Sequence, residues 1–328
     1  MNKYLYLLLS LLLLILSACS QPVDSLKQSK LAVIYTDATQ PDSELVFLDD
    51  QGKLQGSQTF KEMGIFQMET NEHGELILPV QFGNHIIYVH PDGTSQTTDS
   101  LQFPLFVLEK KGIRVSTYNT ELDAGTLEIK QDQLTKLIKL NGFLRVATFD
   151  ESFVYVFASI INQKRPVLYV IDRQQGKLVR TLDLKIDLVT DLEIVDQHLL
   201  LTSIDDKRLL ARVSLTDWNI EYIQVPVEKP EFLLIDEENI YLTYQEQSTL
   251  SILNRSTLKV IENIPLEQPV FKVRMDESHL YVLTPYMDHP DLVGQIRVYE
   301  KKTWSLKKTW DLPAKREMLV QDFVLLAP

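Results

Sequence analysis

The feature that most constrains this chain is a repeat. A β-like run, a polar turn and a second alternating run recur at even spacing, with turns at Asp49, His90, Gln131, Asp172, Leu215, Asn254 and Glu300. The clearest copy is Leu168-Tyr169-Val170-Ile171-Asp172-Arg173-Gln174-Gln175-Gly176-Lys177-Leu178-Val179. A second signature has the same period in a different phase: an acidic turn followed by a strand. It stands at Asp150-Glu151-Ser152-Phe153-Val154-Tyr155, Asp236-Glu237-Glu238-Asn239-Ile240-Tyr241 and Asp276-Glu277-Ser278-His279-Leu280-Tyr281. Asp196-Gln197-His198-Leu199 is a fourth copy, and the stretches from Asn71 and Glu109 are looser ones. Two interleaved turns in a period of about 40 residues require two hairpins, hence four strands per unit. Beyond the N-terminal run no long segment carries a helical period, and Gln131–Leu140 reads as an outer strand with imperfect alternation.

Four-stranded units at this period predict an all-β chain, a β-propeller of antiparallel blades around an axis. A solenoid would need capping ends, and a sandwich would not keep the double phase. Six complete blades can be drawn at 64–99, 103–140, 143–184, 189–225, 231–266 and 270–312. Residues 31–60 hold only three strands, and Met318–Leu326 reads as a strand with no repeat left to use it. Seven blades follow, blade one being closed by the C-terminal strand, which leaves the ring no open edge. Because that last strand lacks a clean turn signature, six or eight blades stay open.

The segment Leu168–Leu184 resembles blades of the YVTN and quinoprotein-like propellers, over about one blade. It departs from WD-repeat proteins in having no Gly-His start, and Trp310-Asp311 is isolated and out of phase. The repeated Trp of quinoprotein docking motifs is missing as well. The resemblance speaks to fold and says little about activity.

At the N-terminus, Lys3 precedes an apolar run from Tyr4 to Leu16, too short to span hydrocarbon, and small residues follow. Leu16-Ser17-Ala18-Cys19 resembles the bacterial lipobox, in which the Cys thiol takes a diacylglyceryl group and becomes the first residue after cleavage. Two acyl chains anchor stably where one is marginal. The resemblance implies a lipoprotein signal peptide over 1–18, lipidated Cys19 with a polar tether over 19–30, and the propeller domain over 31–328. It also implies an extracytoplasmic protein held to the bacterial cell membrane, or to an outer membrane if the organism has one. Cys19 is the only cysteine, which removes disulfide frameworks and Cys-based metal centres from consideration.

The charge balance is 45 acidic against 33 basic residues, net −12, which argues against a nucleic-acid partner. Nucleotide loops, HExxH and GxSxG motifs do not occur in the sequence. His73, His198 and His279 fall in the acidic-turn signature and read as turn residues; the acidic runs Asp205-Asp206 and Asp236-Glu237-Glu238 read as solvated hairpin turns. Asp288, His289 and Asp291 are the weak candidates for a metal in a chain otherwise expected to hold none, since Asp and Pro are also what a surface turn wants. Loops joining second to third strands, together with those between blades, gather on one face of a propeller. Phe82, Asn84, Lys164, Arg165, Tyr244, Gln245, Tyr286 and His289 are the binding-face candidates there.

These readings converge on a monomeric, membrane-anchored binding or scaffold module for an envelope protein or ligand, with no catalytic residue and no cofactor expected. The alternative is a propeller enzyme, a lactonase-type hydrolase or quinone-dependent dehydrogenase, working at the axial channel. Phe271-Lys272-Val273-Arg274 and Phe143-Leu144-Arg145, on innermost strands, predict a channel of cations and apolar groups rather than several carboxylates, which leans against a channel metal.

Overall fold

The computed structural model describes residues 29–121 and 123–326. The expected signal peptide, Cys19 and nearly all of the expected tether lie outside the described residues. Seven four-stranded antiparallel sheets form the propeller ring. Blade one sets β1 (Leu31–Thr36), β2 (Ser43–Leu48) and β3 (Leu54–Phe60) beside β28 (Leu319–Leu325), in the order β28-β1-β2-β3. Blades two to seven span 69–99, 104–141, 143–183, 192–224, 230–265 and 272–313. Every turn of the two sequence signatures falls on a hairpin. Blade two departs from its expected start: its innermost strand is only Glu69–Thr70, and Gly64–Met68 is a connection. The only helix among the described residues is a short 3-10 turn, Ile161–Gln163.

Ring closure rests on β1 pairing β28, from Leu31 opposite Leu325 to Thr36 opposite Leu319, with one register shift between Ile34 and Tyr35. One residue before β1, Lys30 donates its backbone N–H to the Leu48 carbonyl at 2.7 Å.

Packing is organised by seams between blades. Middle strands are apolar on both faces because a neighbouring blade covers each face; β13 (Phe153–Ile160) is buried from Val154 to Ile160. Outer strands return to alternation, as at Leu134–Asn141. Separate apolar clusters fill the seams between blades one and two, three and four, four and five, five and six, six and seven, and seven and one. Trp310, isolated in the sequence, packs in the last of these, where Tyr281 lies 6.1 Å away. Gly52 approaches it so closely, at φ 75°, that a Cβ would stand 2.3 Å from the indole.

The seam between blades two and three is different. Its buried apolar cluster is only Ile77, Ile86 and Val107, with Tyr88 alongside. Polar groups fill the rest. Arg114 donates to Glu128 at 2.7 Å and to the Tyr88 hydroxyl at 3.2 Å, and that hydroxyl donates to Glu109 at 2.9 Å. Asn71 bridges Glu109 and Glu75, and Glu75 holds His90 at 2.6 Å. Burial, offset in part by Arg114, pushes the Tyr88 phenol up to about 12.

In three copies of the acidic-turn signature the first aspartate proves to be a latch, while Glu237 and Glu238 stay exposed as a solvated turn. Asp236 accepts the backbone N–H groups of Glu238 and Asn239 on one oxygen. On the other it accepts the Tyr241 hydroxyl at 2.7 Å and Lys301 of the next blade at 2.9 Å. Asp276 repeats this with Ser278, His279, Tyr281 and Lys30. Asp150 does so with Ser152, Phe153 and Tyr155 but without a lysine. In each, Asp and Tyr are five residues apart, so the turn and the strand it starts are tied by one carboxylate. Burial alone would raise the Asp236 carboxyl; hydrogen bonds from Lys301, Tyr241 and the turn backbone outweigh it and hold it at about 2. A folded-state value below the unfolded one means stability that is complete above about pH 4 and is lost as pH falls toward 2. Asp236→Asn is therefore expected to cost roughly 2 kcal/mol at pH 7. In urea titrations the gap to wild type should narrow at pH 3; a gap independent of pH would contradict the latch.

Candidate functional site

Innermost strands face the axis with every second residue. Blade four presents Phe143 and Arg145, blade five Asp191 and Glu193, and blade six Phe232 and Leu234. Blade seven presents Lys272 and Arg274, blade two Gln67 and Glu69, and β28 contributes Asp322. Together with Phe66, Leu105, Phe106, Val189 and Thr190 they line a cavity of about 590 Å³. The lining comes largely from the connections between blades and the strand residues that follow them. The cavity thus belongs to the end of the channel where those connections gather.

The expectation of cations and apolar groups holds for blades four and seven and fails for the ring. Carboxylates come from blades two and five and from β28. Asp322 is satisfied: it accepts Arg274 at 3.1 Å, the Met68 N–H at 3.0 Å and its neighbour's N–H. Asp191 accepts backbone N–H groups of Leu192 at 2.8 Å and Leu233 at 2.7 Å. Even so, burial raises Asp191, and those hydrogen bonds with Arg274 and Lys272 offset it only in part. Burial and then the Asp191 charge push Glu193 up to about 7, with Lys110 opposing and Glu69 adding to the rise. Burial also raises Glu69, against the pull of Arg274. Glu231, beside the cavity, is pushed up to about 7 by burial, with Lys272 opposing.

The cations are arranged unevenly. Arg274 sits among Asp322, Glu69 and Asp191. Lys272 lies 5.0 Å over the Phe232 ring. Arg145 lies 5.5 Å over Phe143, and its Nε is buried without a hydrogen-bond partner. Among the described residues no carboxylate comes within ion-pair distance of Arg145 or Lys272. Burial depresses the Arg145 guanidinium, and Asp187 offsets this only in part.

The sequence-predicted face residues are spread over loops of blades two, four, six and seven rather than gathered into one site. Phe82 is 50% exposed and meets cavity-lining Phe66 edge-on at 5.9 Å, so it extends the rim. Asn84 and Lys164 are exposed. Arg165 is exposed and paired with Asp183. Gln245 is half-buried, its N–H bonded to the Lys229 carbonyl. Tyr286 is half-buried, donating to Gln295 and accepting from Arg297. Tyr244 is not a surface residue: it ends its strand fully buried, bonded to Ser251. Asp288, His289 and Asp291 do not converge. His289 Nδ1 accepts the N–H groups of Asp291 and Leu292, closing the turn. Among the described residues no three His, Cys, Asp or Glu side chains form a group able to hold a metal ion, and no helix is long and apolar enough to cross a membrane.

No family model matches the sequence, and no curated protein matches it. Solved structures do match in fold. Apo AztD from Citrobacter koseri is similar at TM-score 0.59 and 12% identity, covering 91% of this chain and 98% of that one. A functionally unknown protein from Desulfotomaculum acetoxidans is similar at TM-score 0.66 and 8% identity, covering 90% and 99%. The dihydro-heme d1 dehydrogenase NirN, in complex with DHE, is similar at TM-score 0.59 and 9% identity, covering 92% and 78%. These likenesses carry the propeller and nothing finer.

A carboxyl whose folded-state value lies above its unfolded one destabilises the fold progressively as pH rises through the interval between them. Glu193→Gln should therefore match wild type near pH 4 and exceed it by about 1–3 kcal/mol at pH 8. Thermal or urea melts at the two pH values check this; equal stability at pH 8 would show that Glu193 carries no such strain.

Proposed function

We propose that this protein is a lipid-anchored binding module of the bacterial envelope whose ligand site is the axial cavity. The observation that carries the reading is the cavity itself. Its volume lies in the range of small-molecule sites, four phenylalanines line it, and its charged groups are only partly neutralised by one another. Buried charges left without partners are costly in an empty site, and a complementary ligand recovers that cost.

Anchoring fits the topology. Lys30 and Leu326 both line a second cavity at the other end of the ring, with Thr70, Asn71, Met275 and Asp276. A tether entering at Lys30 attaches Cys19 at that end and leaves the binding cavity facing away from the membrane. The 11 residues from Cys19 to Ser29 reach at most about 40 Å from the bilayer.

Fractionation of cells expressing wild type and Cys19→Ser, with native mass spectrometry of the purified proteins, tests both halves. Wild type is expected in membranes, Cys19→Ser in the soluble fraction, and wild type is expected to carry a small-molecule mass that Leu105→Trp, which fills the cavity, loses. Membrane retention of Cys19→Ser would overturn the anchor. A mass unaffected by filling the cavity, or no bound mass, would overturn the site.

A further inference from the structure

Resting on the reading of the cavity as a ligand site, its charge layout narrows the ligand. The innermost strands of blades four and five are neighbours in the ring. One presents Arg145 and the next presents Asp191 and Glu193. Arg145 and the acidic pair do not meet as an ion pair, and each side stays undercompensated on its own. Arg145 Nε is buried without a partner. Asp191 has its oxygens fixed by two backbone N–H groups, leaving Glu193, two residues along the same face, against a like charge. Phe143 and Phe232 flank this positive–negative step on either side. An anion alone would add to the acidic side, and a cation alone would add to Arg145. A metal ion has no three convergent ligands among the described residues.

We propose that the cavity takes a small zwitterion of amino-acid or dipeptide type. Its carboxylate lies on Arg145, its ammonium on the Asp191–Glu193 edge, and its apolar body between Phe143 and Phe232. Carboxylate on guanidinium gives paired, charge-assisted hydrogen bonds. The ammonium supplies the positive charge that the buried acidic pair lacks at close range. Phenylalanine faces suit both the apolar body and the edge of a cation.

The test is isothermal titration of the full-length protein in detergent with Ala-Phe dipeptide, its N-acetyl form and its C-terminal amide. The free dipeptide should bind at least tenfold more tightly than either blocked form. Arg145→Met should abolish the preference over the amide while keeping that over the N-acetyl form. Glu193→Gln should do the reverse, and thermal melts confirm that both variants fold. Blocked forms binding as well as the free dipeptide would overturn the proposal, as would no binding by any of the three. If native mass spectrometry meanwhile finds a cavity-dependent ligand, the binding-module reading stands and only the ligand class falls; if it finds none, both fall.

Discussion

The pairing of β1 with β28 is the interaction on which the rest depends. A ring of sheets held by nearest-neighbour seams has two free ends unless one blade is built from both termini. Here residues almost 300 positions apart lie side by side, Leu31 against Leu325 and Val33 against Phe323. Without that pairing, the cluster between blades seven and one would open, exposing Tyr35, Trp310 and Phe323. The axial cavity would go with it, because Asp322, the partner of Arg274, sits on β28.

Around the ring the seams are unequal. Six are filled by apolar side chains, and two of those, between blades six and seven and between blades seven and one, are also reinforced by Asp–Tyr latches that borrow a lysine from the following blade. The seam between blades two and three relies on a buried Arg114–Glu128 pair and a chain of polar groups instead. Such a pair adds little net stability, because desolvation offsets most of its attraction. Lacking a full apolar seam, that junction is the one where closure of the ring matters most for keeping neighbours in contact.

Fold was legible in the sequence because its signals are local. Asp236 and Tyr241 stand five apart since one carboxylate must cap a turn and hold the strand after it, and Asp150 and Asp276 repeat the pattern. The partners Lys301 and Lys30 were not legible, coming from the next blade or from the other end of the chain. Tyr244 read as a loop residue because the strand before it runs one residue further than its pattern suggests. Asp191, Glu193 and Glu69 escaped for a related reason. Each innermost strand offers the axis only about two side chains, and their neighbours across it are residues of other blades. The cue that could have found them is the i, i+2 spacing of Asp191 and Glu193, matched by Lys272 and Arg274. The proposed signal peptide and lipidation rest on residue chemistry rather than on folded geometry.

Native-state hydrogen exchange against denaturant tests the central claim, that closure makes the ring one cooperative unit. The amides of β28 and those of β13, on the far side of the ring, should converge on a single opening free energy as denaturant rises. If β28 amides instead exchange through a lower-energy opening while β13 stays protected, the termini fray independently and closure is not what holds the ring.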